Sequence, residues 1–180
     1  MRVEHTLTGV LAVVLIAVSS ASADILPLPG RETPVPQTTD GVPHVQIGID
    51  PDPEISAELL DRVSRLPGVE IRPTVISLAG ALGFWISEEI ALARSDVIAG
   101  GREFAHLHPD GSLHASLPPD LAQAASEAGW AVAHPLAGQR PGWEGFVMIF
   151  TPANSEELDV VYDLVVHSYA FVTGSDASSF

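Results

Sequence analysis

Residues 102–117, REFAHLHPDGSLHASL, decide how the chain folds. Pro109, Asp110 and Gly111 supply what a three-residue hairpin loop needs: two corners of a type I turn, then a left-handed residue. In that register His108 faces Ser112, Leu107 faces Leu113 and His106 faces His114. Strand alternation then sorts the side chains. Ala105, Leu107, Leu113, Ala115 and Leu117 fall on one face, and Phe104, His106, His108, Ser112, His114 and Ser116 on the other. A two-residue loop shifts the pairing by one and mixes the faces, so the clean separation favours the three-residue loop. The segment predicts an antiparallel hairpin with an apolar face and a histidine face.

Outward from the hairpin, other elements follow. PEISAELLDRVSRLPG predicts a helix with Ile55, Leu59, Leu60, Val63 and Leu66 on one side, stopped by Pro67-Gly68. VEIRPTVISLAGALGFWI is β-rich and interrupted by Pro73 and glycines, which predicts two strands or a bent one. SEEIALARSDVIAGG fits either a short helix or a loop with a small strand. PPDLAQAASEAGW predicts a helix ending at Gly129. WEGFVMIFTP is a nearly continuous apolar strand suited to the inside of a sheet. NSEELDVVYDLVVHSYAFVTG predicts a long closing helix with Asn154 as N-cap, Glu157 at N3 and Gly174 as its stop. Its buried stripe is Leu158, Val161, Leu164, Val165 and Ser168. Without βαβ repeats, the pattern predicts a single α+β domain over 54–174, mostly antiparallel sheet packed with helices, and a flexible tail over 175–180.

The N-terminus reads differently. Residues 1–23 carry Arg2, an apolar run from Val10 to Val18 and a small-x-small Ala21-Ser22-Ala23, the pattern of a signal peptide. The run falls short of the about 20 residues that span a bilayer, so a cleaved leader and export are expected, with an N-terminal membrane anchor as the alternative. Residues 24–53 hold seven prolines and little periodicity, which predicts an extended linker, with VQIGI as a short strand at most.

Of 180 residues, 46% are hydrophobic, enough for one domain with a core. The net charge of −15, with no lysine, speaks against nucleic acid and against anionic membrane surfaces. The lack of cysteine excludes disulfides, thiol nucleophiles and iron–sulfur ligation. Glycine loops for phosphates or dinucleotides and a Gly-x-Ser-x-Gly elbow are also missing.

Three readings fit the histidine face. His106, His108 and His114 match the ligand supply of a divalent metal site. Clustered imidazoles also resist protonation, which suits a general base. The third reading is a hydrogen-bonded polar face without chemistry. In GWAVAHPLAG, residues 129–138, His134 is held extended by the following proline and pairs with Trp130 as a candidate pocket wall above the hairpin.

REFAHLH, LHASL, a helix ending in GW, HPLAG, TPANSEEL and FVTG recur in that order in the fungal luciferase family, which this chain resembles over residues 100–174. Ala131-Val132-Ala133 depart from that family's more polar, glycine-bearing run. The resemblance implies an oxygenase that needs no organic cofactor and acts on a small enolisable pyrone-type compound with molecular oxygen. Carried over by position, Arg102, Glu103, His106, His108, His114 and His134 are the candidate catalytic residues. Phe104, Ser112, Ser116, Trp130, Pro135, Leu136 and Gly138 are the candidate pocket residues. Within that picture a neutral histidine forms the enolate, Arg102 or a second histidine holds the anion, and Trp130 and Phe104 offer flat apolar surface. A metal-binding protein and a non-catalytic ligand-binding module are the alternatives.

Overall fold

The computed structural model describes residues 28–180. The leader expected at 1–23 lies outside the described residues. Six strands form one antiparallel sheet: β1 (Val69–Pro73), β2 (Leu82–Ile86), β3 (Glu103–Leu107), β4 (Leu113–Ser116), β5 (Ala131–Ala133) and β6 (Phe146–Ile149), in the order β1-β2-β3-β4-β6-β5. Three helices complete the α+β domain: α1 (Pro53–Ser64), α2 (Pro119–Glu127) and α3 (Ser155–Thr173).

Local chemistry accounts for the helix ends. Asp52 accepts the Glu54 N–H at 2.8 Å and Pro53 opens α1. Asn154 accepts the Glu157 N–H at 2.9 Å, while Glu157 reaches back to the Ala153 N–H at 2.9 Å. Gly174 ends α3 as expected. The expected stripe of α3, Leu158, Val161, Leu164, Val165 and Ser168, is buried throughout. It packs on β3 and β4 over Ala105, Leu107, Leu113, Ala115 and Leu117, the predicted apolar face of the hairpin.

The hairpin has the predicted register: His106 pairs with His114 and Leu107 with Leu113. The His108 N–H donates to Ser112 O at 2.8 Å, and Gly111 adopts φ 80°, the left-handed residue the turn demands. The ambiguous stretch before β3 resolves into loop with one 3-10 turn at Ser95–Val97. β5 is an addition: three paired residues are too few for alternation to show in the sequence.

Two departures reposition side chains. A β-bulge in β3 lets Phe84 pair with Ala105 and Trp85 with Glu103, so Phe104 is the extra residue. Phe104 therefore turns into the core, with ring centroids 5.7 Å from Tyr169 and 6.0 Å from Phe84, instead of joining the histidine face. Glu103 takes the opposite side, beside His106.

The second departure concerns the proline-rich stretch. Its described part, residues 28–53, is extended but held against the domain. Arg31 pairs with Glu157 at 3.0 Å in a buried contact and donates to Thr151 O at 2.9 Å. Gln46 donates its backbone N–H to Asp110 at 2.9 Å and brackets Thr151 with its side-chain amide. Instead of the expected short strand, VQIGI contributes one isolated bridge, Gln46 to Thr38. These anchors set His44 over the histidine face.

Candidate functional site

Five histidines converge on the sheet face opposite α3: His106, His108 and His114 from the hairpin, His134 after β5, and His44 from the N-terminal arm. All five are buried. His44 stacks on His114 with centroids 5.3 Å apart, and His134 meets His114 edge-on at 4.5 Å. Val42, Pro43, Ile76 and Leu78 give apolar walls to a cleft of about 350 Å³ floored by His108, His114 and His134. A larger groove of about 660 Å³ runs along α3 and is lined by Tyr162, Asp163, His167, Phe171, Asp176 and Phe180.

Hydrogen bonds order the imidazoles into a chain. Glu103, buried, accepts from His106 Nδ1 at 3.0 Å, Thr74 Oγ1 at 2.7 Å and the Val75 N–H at 3.0 Å. Burial alone would raise this carboxyl, but the donors from His106, Thr74 and Val75 together hold it below its ordinary value. Gly83 makes room: a Cβ there would lie 2.8 Å from Glu103 Cδ. His106 Nε2 meets His114 Nδ1 at 3.1 Å, and His114 Nε2 meets His44 Nδ1 at 3.2 Å.

Proton positions follow from these partners. Glu103 fixes a proton on His106 Nδ1. With His106 neutral, its Nε2 accepts from His114 Nδ1–H, and His114 Nε2 accepts from His44 Nδ1–H. The chain then ends in a lone pair on His44 Nε2.

The other two imidazoles are also oriented. Ser112 Oγ gives its proton to Asp110 at 2.7 Å and so receives Nδ1–H of His108 at 3.0 Å. His108 Nε2 is left with a lone pair that is buried and without a hydrogen-bond partner. His134 Nδ1 accepts the Leu136 N–H at 3.0 Å, which puts the His134 proton on Nε2 as a donor.

Burial, reinforced by neighbouring imidazoles, holds His108 and His134 down to about 4 and pushes His114 lower still. Burial lowers His44 as well. At neutral pH His44, His108, His114 and His134 are therefore uncharged, the state required of a base or a metal ligand.

The remaining expected residues separate. Ser112 belongs to the cluster as the orienting group of His108. Ser116 donates to Val97 O at 2.8 Å and ties down the loop before β3. Pro135, Leu136 and Gly138 build the turn that carries His134, with the Gly138 N–H donating to Trp143 O at 3.1 Å. Arg102 lies apart from the histidines and donates to the carbonyls of Ile86, Ser87 and Ile90. Trp130 precedes β5, where its Nε1 donates to Pro29 O at 2.6 Å beneath the Arg31 guanidinium. Phe104 sits in the core behind the sheet. His44 was not among the sequence candidates; its only signal was a histidine beside the short apolar VQIGI in an otherwise featureless stretch.

Residues 101–168, which hold the hairpin, His134 and most of α3, match the family described as Luciferase domain. This segment of the chain is similar to the luciferase-domain family. The chain is 31% identical over 170 residues to luciferases of Armillaria gallica and Armillaria mellea, and 30% identical over 172 residues to that of Armillaria ostoyae. These alignments cover 83–84% of this chain and 63–64% of each relative, so the chain spans under two thirds of their length. No solved structure matches it.

Proposed function

We propose that this protein is an exported oxygenase for a small enolisable compound, aromatic or pyrone-like, with a histidine as general base and molecular oxygen as co-substrate. The observation that carries the reading is the chain from Glu103 through His106 and His114 to His44. A proton taken by His44 Nε2 passes along it by successive shifts and comes to rest on His106 beside the Glu103 carboxylate. That pairing makes His44 a stronger base than an isolated buried imidazole.

His134 Nε2–H supplies a donor for the oxygen on which the enolate charge gathers. The apolar walls of Val42, Pro43, Ile76 and Leu78 suit a flat conjugated ring. The enolate carbon then bonds to molecular oxygen, and the resulting peroxide anion regains the proton, so substrate and oxygen together account for every atom. Likeness to the luciferases of Armillaria supports this reaction class. Export rests on the arginine-led apolar N-terminus and its Ala-Ser-Ala motif.

Oxygen consumption by the purified protein with hydroxypyrones tests the reading. Uptake that depends on the protein and falls at least tenfold in His106→Ala is expected. Uptake that His106→Ala leaves unchanged contradicts it.

A further inference from the structure

We propose that His106 Nε2, His108 Nε2 and His114 Nδ1 form a binding site for one divalent first-row transition ion. The three imidazoles each offer a ring nitrogen, and these atoms lie within 4.8 Å of one another. The His106–His114 separation of 3.1 Å is close to the about 3.3 Å that two ligands bound at about 2.0–2.1 Å subtend in a tetrahedral site. The His108 nitrogen lies within 4.8 Å of the other two, so a movement of that side chain toward them closes the third ligand onto the same point.

The far nitrogens make the case specific. A metal-bound histidine characteristically donates its other ring N–H to a carboxylate, a carbonyl or another acceptor that fixes its tautomer. His106 Nδ1 has Glu103 at 3.0 Å. His108 Nδ1 has Ser112 Oγ at 3.0 Å, itself bonded to Asp110 at 2.7 Å. His114 Nε2 has His44 Nδ1 at 3.2 Å as acceptor once its own proton moves there. Independently, His108 Nε2 is a buried lone pair with nothing to receive, on a side chain 1% exposed. A carbon acid does not reach such an atom without displacing its surroundings, whereas an ion does.

Charge is compensated. Three neutral imidazoles add none, and the carboxylates of Glu103 and Asp110 stand behind two of them. The neighbouring trio His44, His114 and His134 also has ligand atoms within 4.8 Å, but His134 Nδ1 is engaged by the Leu136 N–H, leaving Nε2 protonated. The hairpin trio is therefore the site.

An ion there replaces the proton shared by His106 and His114 and turns His44 Nε2 from acceptor to donor. The ion also acidifies water it binds toward neutral pH, so a loaded site offers hydroxide where the empty one offers the His44 lone pair. The site itself rests on the imidazole geometry and not on the oxygenase reading.

The test titrates the full chain, stripped with a chelator, with Zn²⁺ by calorimetry and with Co²⁺ by visible absorption. One ion per chain is expected, with Co²⁺ bands of a low-coordinate nitrogen site. Glu103→Gln should weaken binding about 10–100-fold, and His108→Ala should abolish it. His167→Ala, outside the cluster, should bind like wild type. Circular dichroism checks each fold; should His108→Ala unfold, Ser112→Ala, which removes only the hydroxyl orienting His108, still weakens binding. Failure of the folded wild type to bind one ion overturns the proposal, as does binding that Glu103→Gln and Ser112→Ala leave unchanged. With no substrate present, failure of the site and failure of the oxygenase reaction are read separately.

Discussion

Glu103 Oε1 receives the Nδ1–H of His106 across 3.0 Å, with both side chains almost wholly buried. The contact exists because the bulge at Phe104 moves Glu103 onto the face that His106 occupies. One irregular residue thus links the packing of β3 to the tautomer of the cluster.

Glu103→Gln is expected to destabilise the protein by about 1.5–3 kcal/mol, the usual size for hydrogen bonds to a buried charged group. It should also lower turnover at least tenfold, because an amide does not stabilise a proton on His106. Urea unfolding and oxygen uptake measure the two effects.

Phe104 behaves as a core residue. Phe104→Ala should cost about 3–5 kcal/mol, while Phe104→Leu should cost less than about 1.5 kcal/mol and leave ligand affinity unaltered. Loss of affinity in a well-folded Phe104→Leu would instead place the ring at the cleft.

Much of this architecture is legible in the sequence. The hairpin can be read because turn chemistry and alternation agree: Pro109-Asp110-Gly111 sets the loop, and the apolar face has no polar intruder. α1 and α3 can be read because caps and periodicity coincide. Strict alternation fails at Phe104, since a bulge leaves no compositional mark in FAHLH. His44 is hidden for another reason. Its position depends on Gln46 meeting Asp110 and Thr151, and on Arg31 meeting Glu157, contacts 64 to 126 residues apart that no local pattern encodes. Trp130 was placed by proximity to His134 in sequence, whereas its N–H finds its partner in the arm.

The arm should matter energetically. Arg31→Ala leaves Glu157 buried beside Thr33 and the Ala153 N–H but without its cation. A loss of about 3–5 kcal/mol is expected from breaking a buried pair. Turnover should fall with it as His44 loses its anchor, measurable by urea unfolding and oxygen uptake on the same sample.

The cluster also sets a pH dependence in metal-free protein. His108 and His134 titrate near 6.5 when unfolded and near about 4 when folded, so below pH 6.5 the unfolded chain binds more protons. Stability from this source is complete above pH 6.5, is lost as pH falls toward about 4 and levels off below. Glu103, lowered in the fold, acts in the same direction at the acid end. The stability difference between wild type and His134→Gln, followed by urea unfolding, should shrink as pH falls through this window; a difference that grows would contradict the assignment.

The central claim is that the cleft ionises its ligand through His44, with His134 holding the anion. Absorption of a hydroxypyrone mixed with the metal-free protein at pH 7 without oxygen measures that step before any oxidation. The anion band should appear with wild type and fade in both His44→Ala and His134→Gln. A pyrone that binds without showing the band, or a band of equal strength in both variants, would contradict the account.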